Sequence, residues 1–232
     1  MSLLATGQRA LSLPVETRFG RADFLASDSN RTAFEAIERW PNWPVRALVL
    51  YGPSGSGKTH LAHLWCERSG AMLIAGDAAE LDEPASLPSA LAIDDAERTA
   101  ERTLLHLYNH ALERGGSLLL TMPAAPAALS IALADLASRL RASPVAGIAP
   151  PDDALLAAVL VKHFADRQLR VTPEVVAYLV PRIERSFAAA ASFAARLDQL
   201  GLETGRPVTI NLARAVLAEA DQSWPPSDLT VT

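Results

Sequence analysis

The stretch "GPSGSGKT" at positions 52–59 constrains the fold more than any other part of the chain. It lies between the apolar run "ALVLY" (47–51) and the helix-like segment "HLAHLWCERSG" (60–70). The spacing satisfies the pattern G-x-x-x-x-G-K-[ST], in which a glycine-rich turn joins a strand to a helix and its backbone N–H groups surround phosphate oxygens. The sequence therefore predicts an α/β fold with a nucleotide-phosphate site at this turn.

The residues of this turn have separate predicted roles. Lys58 neutralises the β and γ phosphates, and the Thr59 hydroxyl is a ligand of Mg²⁺. The predicted nucleotide-binding residues are Gly52, Pro53, Ser54, Gly55, Ser56, Gly57, Lys58, Thr59 and His60. A predicted strand before the turn and a predicted helix after it are the context that the motif requires. They favour nucleotide binding over an accidental glycine-rich turn, which is the alternative.

Two acidic residues follow another apolar run, in the segment "LAIDDAE". In phosphate-loop proteins the first such carboxylate holds Mg²⁺ through water, and a neighbouring acid polarises the attacking water. Asp94 is therefore predicted to serve the metal together with Thr59, and Asp95 is predicted to be catalytic. The alternative is a helix N-terminus that acidic side chains stabilise without any catalysis.

Apolar segments and helical segments alternate along the first 150 residues. Continuous apolar runs are typical of strands buried on both faces, as in a parallel sheet. The predicted strands are 47–51, 71–76, 90–94, 117–122 and 144–149. After Pro150 and Pro151 the chain becomes alanine-rich and helical, with predicted helices at 152–168, 173–183, 186–200 and 210–220. Thr172 and Pro173 predict a helix start, and Gly201 predicts a helix end.

The predicted fold class is α/β: a phosphate-loop core with a five-stranded parallel sheet, followed by a small all-helical lid domain. The domain boundaries are predicted as a flexible tail at 1–16, the core at 17–150, the helical domain at 151–222 and a second tail at 223–232.

Composition limits the compartment and the partners. The longest apolar runs are far shorter than the roughly 20 residues of a membrane helix, and the N-terminus lacks the features of a secretion signal. We therefore expect a cytoplasmic protein with no membrane partner. A net charge of −5 argues against an extensive DNA-binding surface. The single cysteine, Cys66, excludes an internal disulfide and is expected to be a buried structural thiol.

Several motifs in consecutive order resemble the DnaA replication-initiator family of AAA+ proteins. They are "RADFLASDSNRTAFEAI", "LVLYGPSGSGKTHLAHLW", "LAIDDAE", "LLHLYNHAL", "LLLTMPAAP" and "LADLASRL", and they cover most of residues 20–200. The chain ends soon after the predicted helical domain, without the C-terminal DNA-binding domain of DnaA. It is therefore similar to the shorter, Hda-type members of the family, of the alphaproteobacterial type.

This resemblance implies a regulatory function. Hda-type proteins dock on the DNA-loaded sliding clamp, the β subunit of DNA polymerase III, and prompt DnaA to hydrolyse its bound ATP. The implied partners are DnaA and the clamp, with DNA reached indirectly through the clamp. The implied ligands are ADP or ATP with Mg²⁺. Assembly into a homo-oligomer stays open.

The resemblance also implies roles for residues beyond the phosphate loop. Thr121 ends the fourth predicted strand, where the family places sensor 1, a polar side chain near the γ-phosphate. Arg139 matches the arginine finger, which reaches a nucleotide held by a neighbouring subunit and stabilises charge on the transferred phosphoryl group. An ordinary surface arginine is the alternative, and Arg141 is a competitor for the role.

One position departs from the family pattern. Ala191 stands where the family has a sensor 2 arginine, and alanine cannot contact a phosphate. Arg185 and Arg196 are the candidates to substitute for it, but they lie about two turns upstream and one and a half turns downstream on the predicted helix. We therefore expect weak intrinsic ATPase activity, with the nucleotide serving to set the geometry of an intersubunit contact.

The N-terminal segment resembles the clamp-binding peptide of Hda-type proteins. The implied clamp-binding residues are Ala10, Leu11, Ser12, Leu13 and Pro14. Such peptides bind in an extended conformation, and Leu11 and Leu13 suit the apolar pocket. The alternative is a disordered tail that happens to contain two leucines.

Two other functions remain open. A helicase-loader-like AAA+ ATPase would remodel a partner through its own ATP hydrolysis, and sustained turnover without DnaA would indicate it. A DNA-binding initiator acting through the core and lid is disfavoured by the acidic charge, and tight, salt-sensitive duplex binding would indicate it.

Overall fold

The computed structural model describes residues 24–79, 87–204 and 207–223. These residues belong to two compact units, of which the first ends at Leu155 and the second begins at Leu156. Each unit has its own apolar core. No helix within the described ranges combines the length and apolar character needed to span a membrane.

A five-stranded sheet forms the centre of the first unit. Its strands are β1 (Ala47–Tyr51), β2 (Met72–Ala75), β3 (Leu91–Asp94), β4 (Leu118–Met122) and β5 (Val145–Gly147). All four pairings are parallel, in the order β2-β3-β4-β1-β5. This confirms the predicted five-stranded parallel sheet, and each strand lies within its predicted range.

Within the described residues of the first unit, four complete helices accompany this sheet. They are α1 (Arg31–Glu38), α2 (Lys58–Ser69), α3 (Glu101–Glu113) and α4 (Ala134–Ala142). Short 3-10 turns occur at Gly76–Ala78, Ala96–Arg98 and Pro126–Ala128.

Alternate residues of the strands supply two separate cores. On β1, Ala47 and Val49 lie in a cluster with side chains of α3 and α4, such as Leu107 and Leu136. The intervening residues Leu48 and Leu50 lie in a second cluster with α1 and α2. Both faces of the strand are therefore buried, which explains the continuous apolar run.

The two tryptophans before β1 belong to the second cluster. Trp43 stacks on Trp65 of α2 with 5.4 Å between ring centroids, and its indole N–H donates to the Ala36 carbonyl at 2.8 Å. Trp40 meets the same Trp65 ring edge-on at 6.3 Å. Both tryptophans therefore serve the core.

The second unit is helical. It contains α5 (Asp153–Asp166), whose first residues precede the boundary, followed by α6 (Pro173–Leu179), α7 (Phe187–Thr204) and α8 (Ile210–Ser223). Leu156, Leu160, Leu179, Leu197 and Ala213 are among the side chains of its core. The predicted all-helical region is thus confirmed.

The helix ends in this unit differ from the sequence prediction by up to four residues. The third predicted helix was expected to end at Gly201, but α7 continues to Thr204. Leu197 and Leu200 pack into the helical core immediately before this glycine, and such packing outweighs a helix-propensity cost of about 1 kcal/mol. Conversely, α6 ends at Leu179, four residues earlier than predicted, although its start at Thr172 and Pro173 is as expected.

Candidate functional site

The glycine-rich loop joins the end of β1 to the start of α2. Gly57 precedes the helix with φ +98°, a left-handed conformation that favours glycine. Gly52 approaches another chain segment closely, since a Cβ there would lie 2.4 Å from the Ile148 carbonyl oxygen and 2.9 Å from Ser56 Oγ. No side chain caps the start of α2. Because the first N–H groups of a helix have no acceptor within it, they remain available to a ligand.

Lys58 is the charged group of this loop. Its side chain is buried, and Nζ donates to the carbonyl oxygens of Gly52 at 2.9 Å and Pro53 at 3.0 Å. Among the residues that the structure describes, no carboxylate forms an ion pair with Lys58. A buried cation that contacts only neutral acceptors favours the approach of an anion.

Three predicted residues meet at the carboxyl ends of β3 and β4. Thr59 Oγ1 donates to Asp94 Oδ2 at 2.8 Å, and Thr121 Oγ1 donates to Asp94 Oδ1 at 2.6 Å. Thr59 begins α2, while Asp94 and Thr121 belong to adjacent parallel strands. We call Thr59, Asp94 and Thr121 the polar cluster. Its oxygen atoms are the ligand type that Mg²⁺ prefers.

Asp95 is held next to this cluster in an uncommon conformation. Its φ of 52° and ψ of 52° lie in the left-handed region, which non-glycine residues seldom adopt. Its backbone N–H donates to Thr121 Oγ1 at 2.8 Å. Gly76 packs directly against it, because a Cβ on Gly76 would lie 2.1 Å from the Asp95 carbonyl oxygen. The Thr121 hydroxyl therefore fixes both acidic residues, and the catalytic role of Asp95 remains a prediction.

Two further groups respond to the charges of the site. Partial burial raises the pKa of Glu97, the negative charge of Asp95 adds to this effect, and Lys58 opposes it. The sequence reasoning missed Glu97, although it follows Asp94 and Asp95 in the same segment. Burial, assisted by the charge of Asp94, raises the pKa of the Cys66 thiol to about 11. That thiol is only partly buried but stays protonated near neutral pH.

The residues of the loop suit a phosphate group. Ser56 is buried, and its Oγ has no hydrogen-bond partner within the described part of the chain. A bound phosphate would accept a hydrogen bond from this hydroxyl. It would also accept hydrogen bonds from the uncapped N–H groups at the start of α2 and from the ammonium group of Lys58. His60 directly follows Thr59, the last residue of the motif. Its ring meets the Phe24 ring edge-on, with 5.5 Å between the ring centroids.

Arg139 lies on α4 and is separate from the polar cluster. Its side chain is 40% exposed, and Nε donates to Asp135 Oδ1 at 3.0 Å. Its guanidinium carbon lies 5.9 Å from the centre of the Tyr108 ring. In the described ranges, Arg139 has no hydrogen bond to the phosphate loop or to Asp94. The structure thus brings together the loop, the acidic residues and Thr121, but not Arg139.

The remaining predicted positions divide into two groups. Ala191 lies on α7 of the helical unit, where Arg196 donates to Glu219 Oε2 at 2.7 Å. The predicted clamp-binding residues Ala10, Leu11, Ser12, Leu13 and Pro14 lie outside the described residues.

Comparison with known proteins identifies relatives of this chain. Residues 48–185 match the family model of the AAA domain. The chromosomal replication initiator protein DnaA of Thermomicrobium roseum is 25% identical over 234 aligned residues, which cover 88% of this chain and 50% of that protein. The chain therefore spans about half the length of this relative.

Solved structures show the same fold. Domain III of the Thermotoga maritima replication initiation protein DnaA has a TM-score of 0.76 at 20% identity, over 87% of this chain and 96% of that one. AMPPCP-bound DnaA from Aquifex aeolicus has a TM-score of 0.66 at 18% identity, over 86% of this chain and 68% of that one. At these identities the likeness establishes the fold.

Proposed function

The chain belongs to the AAA domain family, and from this premise we propose that it is an Hda-like regulator of replication initiation. In this function it binds ADP or ATP with Mg²⁺ and stimulates the hydrolysis of ATP held by DnaA, together with the DNA-loaded sliding clamp. The similarity to the DnaA of Thermomicrobium roseum supports a role in replication. We also propose a cytoplasmic location.

Nucleotide binding is supported most strongly by the position of Asp94. This carboxylate accepts hydrogen bonds from Thr59 of the phosphate loop and Thr121 of the neighbouring strand. The uncapped start of α2 and Lys58 would bind phosphate oxygens, and Thr59 with Asp94 would hold Mg²⁺. The metal ion would supply positive charge to the phosphates. AMPPCP, an ATP analogue, is bound by the similar DnaA of Aquifex aeolicus, which supports an adenine nucleotide.

The regulatory part of the proposal depends on Arg139. Its guanidinium is partly exposed, pairs through Nε with the exposed Asp135 and lies 5.9 Å from the centre of the Tyr108 ring. Surface pairs of this kind contribute about 0.2–1 kcal/mol, so exchange of Asp135 for a phosphoryl group costs little. An arginine finger supplied by another subunit raises the rate of hydrolysis by about 10³–10⁵-fold. We propose that Arg139 completes the catalytic site of DnaA in this way.

Three further assignments belong to the same proposal. Asp95 polarises the attacking water during any turnover in this chain, and Thr121 positions the two acidic residues. The absence of an arginine at Ala191 keeps intrinsic turnover weak. Ala10, Leu11, Ser12, Leu13 and Pro14 form the clamp-binding peptide, so that DNA is reached through the clamp.

A reconstituted hydrolysis assay tests this function. The purified full chain is mixed with ATP-loaded DnaA from the same organism and with clamp loaded on DNA, and the formation of ADP is followed over time. We expect rapid hydrolysis of the DnaA-bound ATP only when all three components are present. A chain lacking residues 1–16 should lose clamp binding while its melting temperature stays the same. Hydrolysis at the rate of DnaA alone would contradict the proposal.

A second candidate is a helicase-loader-like ATPase that remodels a partner through its own hydrolysis. The completeness of the polar cluster within one chain favours it, because Thr59, Asp94 and Thr121 are already connected without a partner. Steady-state ATP turnover by the chain alone separates the two functions. Turnover of several ATP molecules per second without DnaA would support the loader, whereas the regulator turns over slowly on its own.

A further inference from the structure

The segment that leads into α4 is held by a carboxylate of another helix. Glu101 begins α3, and its Oε1 accepts the Ala132 N–H at 2.9 Å while its Oε2 accepts the Leu133 N–H at 2.6 Å. Leu133 immediately precedes the first residue of α4. The side chain thus uses both carboxylate oxygens on two consecutive backbone donors, at the helix end where negative charge is favourable.

The other end of α4 is also connected to α3. Tyr108 and Ser143 share a hydrogen bond at 3.1 Å between their hydroxyl oxygens, and the Ser143 hydroxyl donates to the Arg139 carbonyl at 2.9 Å. Glu101 and Tyr108 are seven residues apart, or about two helical turns, so they lie on the same face of α3. One face of α3 therefore holds α4 near both of its ends.

Apolar packing alone does not explain this arrangement. Leu129, Ile131 and Leu133 pack against the core beside α3 and α4 and keep the segment close to the sheet. Apolar contact is non-directional, whereas a bidentate hydrogen bond requires a particular position and angle of its donors. The carboxylate is therefore a directional contact at the start of α4, in addition to the packing of Leu136 and Leu140 in the core.

We propose that Glu101 is a positioning residue for Arg139, which is an inference that rests on the proposed function. Arg139 follows Leu133 by six residues, or about 9 Å along the helix axis. A change in the direction of α4 at its start therefore displaces the guanidinium. A misplacement of about 1 Å at a reacting centre can lower a rate by roughly 10²-fold. Glu101 acts through the orientation of α4 and touches no nucleotide.

The test measures maximal stimulation separately from assembly. Glu101→Ala and Glu101→Gln chains are titrated into ATP-loaded DnaA with DNA-loaded clamp, and both the maximal rate and the half-saturating concentration are fitted. For Glu101→Ala we expect the maximal rate to fall by about 10–100-fold, with the half-saturating concentration and the nucleotide Kd changed less than about twofold. Glu101→Gln should be intermediate, because its amide keeps one of the two acceptors. Glu113→Ala, an exposed glutamate of the same helix, is the matched control.

The outcomes separate this inference from the function on which it rests. If the parent chain does not stimulate the hydrolysis of DnaA-bound ATP, the proposed function itself is wrong. If the parent and Arg139→Ala stimulate equally, the arginine-finger assignment fails, and the positioning role fails with it. If Arg139→Ala abolishes stimulation while both Glu101 variants retain the full maximal rate, only the positioning role is overturned. A loss that appears in the half-saturating concentration or in nucleotide affinity would instead indicate a general structural role and would also overturn it. If Glu101→Ala does not fold, the graded loss expected for Glu101→Gln decides the matter.

Discussion

The polar cluster and the Arg139 helix are two polar regions of the same unit, and they differ in how completely this chain satisfies them. In the cluster, Asp94 receives two hydroxyl hydrogen bonds, and Thr121 is fully buried. On α4, the guanidinium of Arg139 is 40% exposed and pairs with an exposed carboxylate. The comparison teaches that the first region is organised by its own fold, whereas the second is suited to complete a site elsewhere.

The same contrast applies to the supporting contacts. Directional hydrogen bonds join the side chains of the cluster, of which Thr121 is fully buried and Thr59 and Asp94 are partly buried. The backbone of α4 is held by Glu101 and Ser143, whereas the partly exposed guanidinium of Arg139 contacts Asp135 and the Tyr108 ring. The proposed role of Arg139 requires this combination of a held helix backbone and a partly exposed side chain.

The largest predicted effect separates Arg139 from the nucleotide site. Arg139→Ala should lower stimulated hydrolysis of DnaA-bound ATP by about 10³-fold or more, because a positive charge is lost from the transition state. Nucleotide binding to the variant chain, measured by calorimetry, should be unchanged. Arg141→Ala, on the same helix, should retain stimulation. An equal loss in both variants would mean that α4 contributes general positive charge instead of a finger.

The next effect concerns the other side of the comparison. Lys58→Ala should weaken adenine-nucleotide binding by about 10–100-fold, since a charge-assisted hydrogen bond to phosphate is lost. Equilibrium binding of a fluorescent ATP analogue measures this change. Arg68→Ala removes a cation near the other end of α2 and should leave the affinity within about twofold. Unchanged affinity in Lys58→Ala would show that the loop does not hold the phosphates.

A smaller effect tests the internal support of the cluster. Thr121→Val leaves the Asp95 N–H and the Asp94 carboxylate without their shared partner, so the free energy of unfolding should fall by about 1–2 kcal/mol in urea. The Mg²⁺ dependence of nucleotide binding should also weaken. Thr99→Val removes another buried hydroxyl, which donates to the Gly76 carbonyl at 3.0 Å. Thr99→Val should lose a similar free energy of unfolding but keep the Mg²⁺ dependence of nucleotide binding. If both variants lose the Mg²⁺ dependence, Thr121 has no special role at the metal.

The smallest effect concerns Glu97, which lies close to the charge of Asp95 beside the cluster. Burial and the charge of Asp95 raise the pKa of Glu97 above its ordinary value of 4.5, so the ionised form is disfavoured in the folded state. Glu97→Gln should therefore be more stable than the parent at pH 7, by less than about 0.5 kcal/mol because the carboxyl group is only slightly buried and solvent screens its charge. This gain should shrink as the pH falls through the folded pKa and vanish below about pH 4.5. Urea unfolding at pH 4 and 7 measures it, and a gain independent of pH would contradict the assignment.

Local patterns were sufficient to predict most of the fold. Uninterrupted apolar runs predicted all five strands. The central strands β1, β3 and β4 are buried on both faces, whereas the edge strands β2 and β5 keep an apolar run although Met72 and Val145 are exposed. The ends of elements were less predictable. Gly201 lies inside α7 because the packing of Leu197 and Leu200 outweighs the preference of glycine for helix ends.

The candidate site was predictable in part. The motif located the loop, Lys58 and Thr59, and the acidic pair was predicted from its position after a buried strand. The left-handed conformation of Asp95 and its hydrogen bond to Thr121 had no signal in the sequence, because both depend on Gly76 and on the neighbouring strand β4. Glu101 was missed for the same reason, since its partners are 31 and 32 residues away along the chain.

The sequence by itself determined the strand-loop-helix unit of the phosphate loop and the identity of the side chains that could serve it, because backbone freedom at glycine and apolar periodicity act over a few neighbouring residues. Only the tertiary structure decided which of these side chains meet. The sheet order places β3 beside β4 and β4 beside β1, and this order brings Thr59, Asp94 and Thr121 within hydrogen-bond distance. Such long-range contacts depend on how separate elements pack, which no short stretch of sequence specifies.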